Sequence, residues 1–225
     1  MTLKEFYQSL NGEELEGSLL NSAIYSIISS IIVIIILYFI LPNNFLNEYG
    51  FYLFFAILSY ALIMPGIRQI KTYKNFACMS GMMIGMTFGM ISGFLSGFFV
   101  GATNGMFTGA VFGIIIGIFI GIWMGLCCGV MGYLEGIMAG FMGGIMGAMT
   151  SVMMLNDHLK IFTSLTFIIC AMMLFGLNYM IYNETRQMEK NKNEGQKIIV
   201  LLSVLFTLFT VLIMVYGPRS FLFGG

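Results

Sequence analysis

The sequence predicts an all-α integral membrane protein, a polytopic bundle of about seven transmembrane helices built on a glycine-packed central three-helix unit. Three observations predict it. Only 9% of the 225 residues are charged and 59% are hydrophobic, against roughly 25% charged in a soluble globular domain. Apolar runs recur along the chain at the length a helix needs to cross a ~30 Å hydrocarbon core, about 20 residues. From Gly81 to Gly129, thirteen glycines stand at every fourth position without a miss. Glycine costs about 1 kcal/mol relative to alanine inside a helix in water. Such a run belongs where helical hydrogen bonding is compulsory and close helix approach is favoured, which is the bilayer.

Residues 1–21 carry Lys4, Glu5, Glu13, Glu14 and Glu16 and lack the basic start, apolar core and cleavage site of a signal peptide. The first span is therefore expected to be retained. Leu3, Phe6, Tyr7 and Leu10 are spaced either for a short amphipathic helix on the cytoplasmic membrane surface or for a frayed terminus. Residues 22–76 hold two spans and a basic loop. The first, residues 23–40, is broken by Pro42, Asn43 and Asn44; the second, residues 49–64, is expected to stop at Pro65 and Gly66, with Arg68, Lys71 and Lys74 following.

Residues 77–155 are rich in glycine and methionine, long enough for three spans and too short for four, with breaks expected at 102–105 and near 127–129. Residues 156–225 hold span six (161–182), a charged loop (183–197) and span seven (198–216). The two basic loops should both face the cytoplasm, so an even number of spans separates them. Three glycine-rich spans plus span six satisfy this, with the amino terminus inside and the carboxy terminus outside.

Four residues advance a helix by 400°, so a four-spaced column drifts ~40° per step. The glycine run cannot be one continuous contact; it is one packing rule reused on successive helices, with spans one, two, six and seven outside the unit. The same faces also suit contacts between copies or with another membrane complex.

A single histidine, His158, and no phosphate-binding loop or H-E-x-x-H motif argue against an enzyme. Ten acidic and ten basic residues cancel and lie mostly outside the apolar runs, which removes a nucleic-acid partner and leaves the lipid bilayer. What remains is methionine. Met82, Met86 and Met90 form a four-spaced column in span three, and Met138, Met142 and Met146 form another in span five. These two spans should run parallel, with their columns at overlapping depths. Cys78, Cys127 and Cys128 gather at the cytoplasmic end, and Glu135 is the one charge inside a predicted span, about 9 Å from that end.

Thioethers and thiolates select Cu(I) over hard cations, so a thioether ladder with thiols at its mouth would pass Cu(I) between weak sites. Methionine is equally a flexible filler of the gaps that glycine leaves. Glu135 either serves the ion or is a protonated or hydrogen-bonded structural carboxyl. Cys170 reads as an ordinary core or lipid-facing cysteine, and Asp157–His158 as a solvated loop or an outer receiving point for metal.

The methionine columns beside glycine packing resemble, in motif but not in span number, the small trimeric copper transporters with a methionine triad in the pore. The stretches Cys78-Met79-Ser80-Gly81-Met82-Met83-Ile84-Gly85-Met86 and Cys127-Cys128-Gly129-Val130-Met131-Gly132-Tyr133-Leu134-Glu135-Gly136-Ile137-Met138-Ala139-Gly140 are similar to a group of prokaryotic Gly/Met-rich membrane proteins, some with cupredoxin-type domains. The resemblance covers roughly residues 75–155 and implies a copper link in a prokaryotic plasma membrane. This chain has no cupredoxin domain, so the expectation is a separate copper donor. Cu(I) binding or passive transport is the first reading. A non-transporting assembly subunit packed through glycine faces is the alternative, and a channel for another ion or solute the third.

Overall fold

The computed structural model describes residues 45–72, 78–126, 129–185 and 196–218, with seven helical positions between residues 24 and 35. Six helices follow in order: α1 Phe45–Thr72, α2 Cys78–Asn104, α3 Met106–Gly125, α4 Gly129–Met153, α5 Leu159–Thr185 and α6 Gln196–Tyr216. No strand occurs among the described residues. Five stretches, Gly50–Ile67, Met79–Asn104, Met106–Gly125, Gly129–Met153 and Leu159–Ile181, are long and apolar enough to cross a membrane, and α6 adds the shorter apolar Leu201–Tyr216. The protein is an integral membrane protein. The helical positions near 24–35 fall where the first span is expected; the remainder of 23–40, the segment holding Leu3, Phe6, Tyr7 and Leu10, and residues 186–195 lie outside the described residues.

The glycine column does what its period requires. Along α2, α3 and α4 the glycines meet in layers of three: Gly85 with Gly125 and Gly132, Gly89 with Gly121 and Gly136, Gly93 with Gly117 and Gly140, Gly97 with Gly113 and Gly144. Residue numbers rise together in α2 and α4 and fall in α3, so α2 and α4 are parallel and α3 runs back between them. A methyl added at Gly93 would lie 2.8 Å from the Gly140 carbonyl oxygen, and one at Gly113 would lie 2.8 Å from the Gly97 Cα and 2.9 Å from the Gly144 Cα. Backbone touches backbone throughout, the arrangement in which small residues drive association by van der Waals fit and weak Cα–H contacts.

Both breaks in this unit fall where the sequence places them. Gly105 has φ 109° and Gly129 φ 73°, a region that side chains rarely adopt. At the first, the Gly105 N–H donates to the Gly101 carbonyl at 3.1 Å and its own carbonyl accepts the Gly109 N–H at 3.0 Å, so α3 begins within one residue of the end of α2.

The second span differs from expectation. Helix α1 does not stop at Pro65 and Gly66 but runs through them to Thr72. The residues on both sides of the proline, Ile63, Met64, Ile67 and Ile70, are all buried in the core, and Gly66 lies against the Phe88 ring, where a methyl would sit 3.0 Å from Cε1. Tertiary burial holds the last turns in place, and a bilayer helix tolerates the donor that proline lacks.

The remaining helices pack on α2 and on one another, α5 and α6 chiefly against α1. Phe88, Ile91, Leu95, Phe98 and Phe99 share one core with Tyr60 and Ile67 of α1, Leu174 and Ile181 of α5, and Phe206 and Met214 of α6. Several buried hydroxyls are satisfied within their own helix: Ser92 Oγ donates to the Phe88 carbonyl at 2.6 Å and Ser96 Oγ to the Ser92 carbonyl at 2.7 Å. Polar links between helices include Asn104 Nδ2 donating to the Ile213 carbonyl at 2.7 Å and the Ser29 and Ser203 hydroxyls, 3.3 Å apart.

Candidate functional site

The chemistry-bearing residues sit on α2 and α4, and their position relative to the glycines decides where they face. On α2, Met82, Met86 and Met90 each follow a column glycine by one residue, about 100° round the helix. On α4, Met138, Met142 and Met146 each follow by two, about 200° round and directly away from the glycine contact. Exposure agrees. Met82 and Met90 are half-buried and Met86 is 48% exposed, whereas Met138, Met142 and Met146 are all more than half exposed. The thioethers therefore do not line the interior of the three-helix unit, whose axis is filled by glycine backbone.

The two columns still belong to one surface. On α4, Gly143 and Gly147 pack on the backbones of Met90 and Phe94, respectively. Carried back in steps of four, the same spacing pairs Ala139 with Met86 and Glu135 with Met82. The α4 edge that meets α2 thus reads Glu135, Ala139, Gly143, Gly147, Ser151, small residues headed by a carboxylate.

The Gly89–Gly136 and Gly143–Met90 contacts are offset by 47 and 53 residues. A residue of α2 is therefore level with the one about 50 further on in α4. By depth the six methionines run Met82, Met86, Met138, Met90, Met142, Met146. The overlap expected of the columns holds for Met90 beside Met138 and Met142, and beyond it the columns are staggered. The staircase spans about 14 residues, or ~21 Å of a ~30 Å core.

Further methionines join this flank that the four-residue columns do not pick out. Met131, Met149 and Met153 are exposed on α4, and Met79 and Met83 on α2. Their signal is the seven-four spacing 131, 138, 142, 149, 153, which keeps one helix face. Glu135 is half-buried in this surface, and no hydrogen bond or ion pair holds it among the described residues. Lys160 is the other charge within the five apolar stretches, at the start of α5.

The expected thiol cluster falls largely outside the described residues: Cys127 and Cys128 do so entirely, and of Cys78 only the backbone, which opens α2, is described. Cys170 is a buried core residue on α5. Asp157 and His158 are exposed in the α4–α5 turn, where the His158 carbonyl accepts the Ile161 and Phe162 N–H groups at 3.0 and 3.2 Å and starts α5. A shallow cleft of about 540 Å³ opens beside them, lined by Tyr52, Ala102, Leu155, His158, Leu159, Lys160 and Ile161. Among the described residues no three His, Cys, Asp or Glu side chains come together as a metal-binding group.

Comparison with protein-family models, curated proteins and solved structures gives no match to the chain.

Proposed function

We propose that this membrane protein binds Cu(I) and passes it along the methionine flank of the α2–α4 pair, by exchange between weak thioether sites. One contrast within the molecule carries the reading. Helices α3 and α4 pack through the same glycine layers in the same bilayer. Yet the large exposed side chains of α3 are Met106, Phe107, Val111, Ile115 and Phe119, one methionine among five, while those of α4 are Val130, Met131, Tyr133, Leu134, Met138, Phe141, Met142, Met146, Met149 and Met153, six methionines among ten. Glycine packing alone does not call for methionine, and lipid contact is served as well by branched aliphatics. A soft, polarizable donor set is what distinguishes the α4 face, and such donors favour Cu(I) and its analogue Ag(I). The glycine-filled axis of the three-helix unit favours the flank over a central conduit. A second copy packed on the same face would shelter the cation from hydrocarbon.

The test is an anaerobic Cu(I) titration of the detergent-purified protein against a chromophoric chelator, on the wild type and on a variant with Met82, Met86, Met90, Met138, Met142 and Met146 all replaced by leucine. Leucine conserves volume well enough for these exposed and half-buried positions to keep the fold. Binding by the wild type and its loss in the variant supports the reading. Absence of binding from both overturns it in favour of a second reading, in which the flexible methionine face seats another membrane protein, as methionine-rich surfaces do for varied partners.

A further inference from the structure

We infer that Glu135 is itself a ligand and marks the first and tightest station of the staircase, where one monovalent soft cation is held as a charge-neutral pair with the carboxylate and flanking thioethers. The inference rests on the Cu(I) reading above and goes beyond it by fixing where the ion is captured and which charge it carries.

Four placements support it. Glu135 heads the α4 edge that packs on the α2 methionine column, two steps before the observed Gly143–Met90 contact. By the depth register it is level with Met86 to within about one residue, or ~1.5 Å. On its own helix, Met131 at i−4 and Met138 at i+3 are surface neighbours, with Cβ atoms about 5–6 Å away. The edge residues after it shrink to Ala139, Gly143 and Gly147, and these three are buried while Glu135 is half-buried.

Charge then selects the ion. A carboxylate held about 9 Å into a membrane helix is unfavourable by several kcal/mol unless paired, and a bare cation among thioethers carries a penalty of the same kind. A single positive charge cancels the single negative one. A divalent ion leaves a net charge in hydrocarbon and meets mostly soft donors, so Zn(II) is disfavoured on both counts. The remaining thioethers, Met90, Met142 and Met146, lie at greater depth with no carboxylate beside them, which makes them weaker stations suited to release.

The experiment uses the full chain in detergent, loaded anaerobically with Cu(I), in four forms: wild type, Glu135→Gln, Met82→Leu/Met86→Leu/Met138→Leu, and Met90→Leu/Met142→Leu/Met146→Leu. Glu135→Gln removes the charge without changing size and relieves an intramembrane carboxylate, so folding is safe. Chelator competition should show affinity reduced about tenfold or more by Glu135→Gln and by the first triple variant, with little change in the second triple variant. X-ray absorption of the Cu(I)-loaded wild type should show one oxygen donor beside sulfur, with the oxygen lost in Glu135→Gln. Unchanged affinity and a sulfur-only shell in both wild type and Glu135→Gln would overturn the inference while leaving the methionine reading standing. Failure of the wild type to bind Cu(I) would overturn both.

Discussion

The backbone of Met90 stands where a side chain on Gly143 would have to go: a Cβ at position 143 would lie 3.0 Å from the Met90 Cα and closer still to its carbonyl oxygen. This contact fixes the α2–α4 register and makes residue size at 143 a direct test of it. Gly143→Ala is expected to destabilise the protein by about 1–3 kcal/mol, the usual range for overpacking, because the obstacle is backbone and cannot rotate aside. At Gly176 a methyl would meet no atom within 4 Å, so Gly176→Ala should be neutral or stabilising by up to about 1 kcal/mol. Unfolding in mixed micelles with increasing dodecyl sulfate separates the two; equal effects would contradict the register.

Cross-linking tests the same register without disturbing the glycines. Carried four residues back from the Gly143–Met90 contact, the register sets Ala139 beside Met86, so Met86→Cys/Ala139→Cys should form a disulfide under mild oxidation, a bond that requires Cα atoms ~4.4–6.8 Å apart. Met86→Cys/Met142→Cys, with the second position turned away from the contact edge, should not. A gel-shift assay on a background in which the native cysteines are serine reads both.

Asn104 should be more sensitive to charge than to loss of its hydrogen bond. Its Nδ2 donates to the Ile213 carbonyl, while its Oδ1 is buried with no partner among the described residues. Asn104→Leu removes a donor and an unsatisfied acceptor together, and the two changes offset, leaving a loss of about 1 kcal/mol or less. Asn104→Asp keeps the orphan acceptor, sets a second one against the Ile213 carbonyl and brings in a carboxylate, so its loss should be several kcal/mol. Thermal unfolding in detergent ranks them; parity would mean that the α2–α6 link does not persist in solution.

Cys170 is buried on α5. With Cys78, Cys127 and Cys128 changed to serine, a membrane-permeant maleimide should leave the folded protein unlabelled and label it fully once it is unfolded. Rapid labelling of the folded form would place α5 with this face outward.

Much of this architecture can be read from residue spacing, and the misreadings have local causes. The four-residue glycine period announces three helices because no single helix keeps a 40° drift on one side, and the run breaks at Gly105 and Gly129, where φ is positive. Pro65 misleads because proline usually ends a helix in water, whereas here Ile67 and Ile70 are buried beyond it. The facing of the methionines is written in their distance from the nearest glycine, one residue on α2 and two on α4. Reading four-spaced columns alone hides that difference, because columns with the same period can stand on different sides of a helix. The pairing of Glu135 with the Met82 column is not legible at all until the α2–α4 offset is known, since it depends on how two helices slide past each other.

The glycine layers join three helices that follow one another directly in the chain, through one-residue and few-residue turns. Glycine has no rotamers to freeze, so bringing these backbones together carries no side-chain entropy cost, and every contact in the unit is between neighbouring or next-neighbouring helices. During synthesis the unit is therefore complete as soon as α4 has emerged, before α5 or α6 exists. The later helices then have a surface of α1 and α2 to pack on, so the order of the segments along the chain suits stepwise assembly.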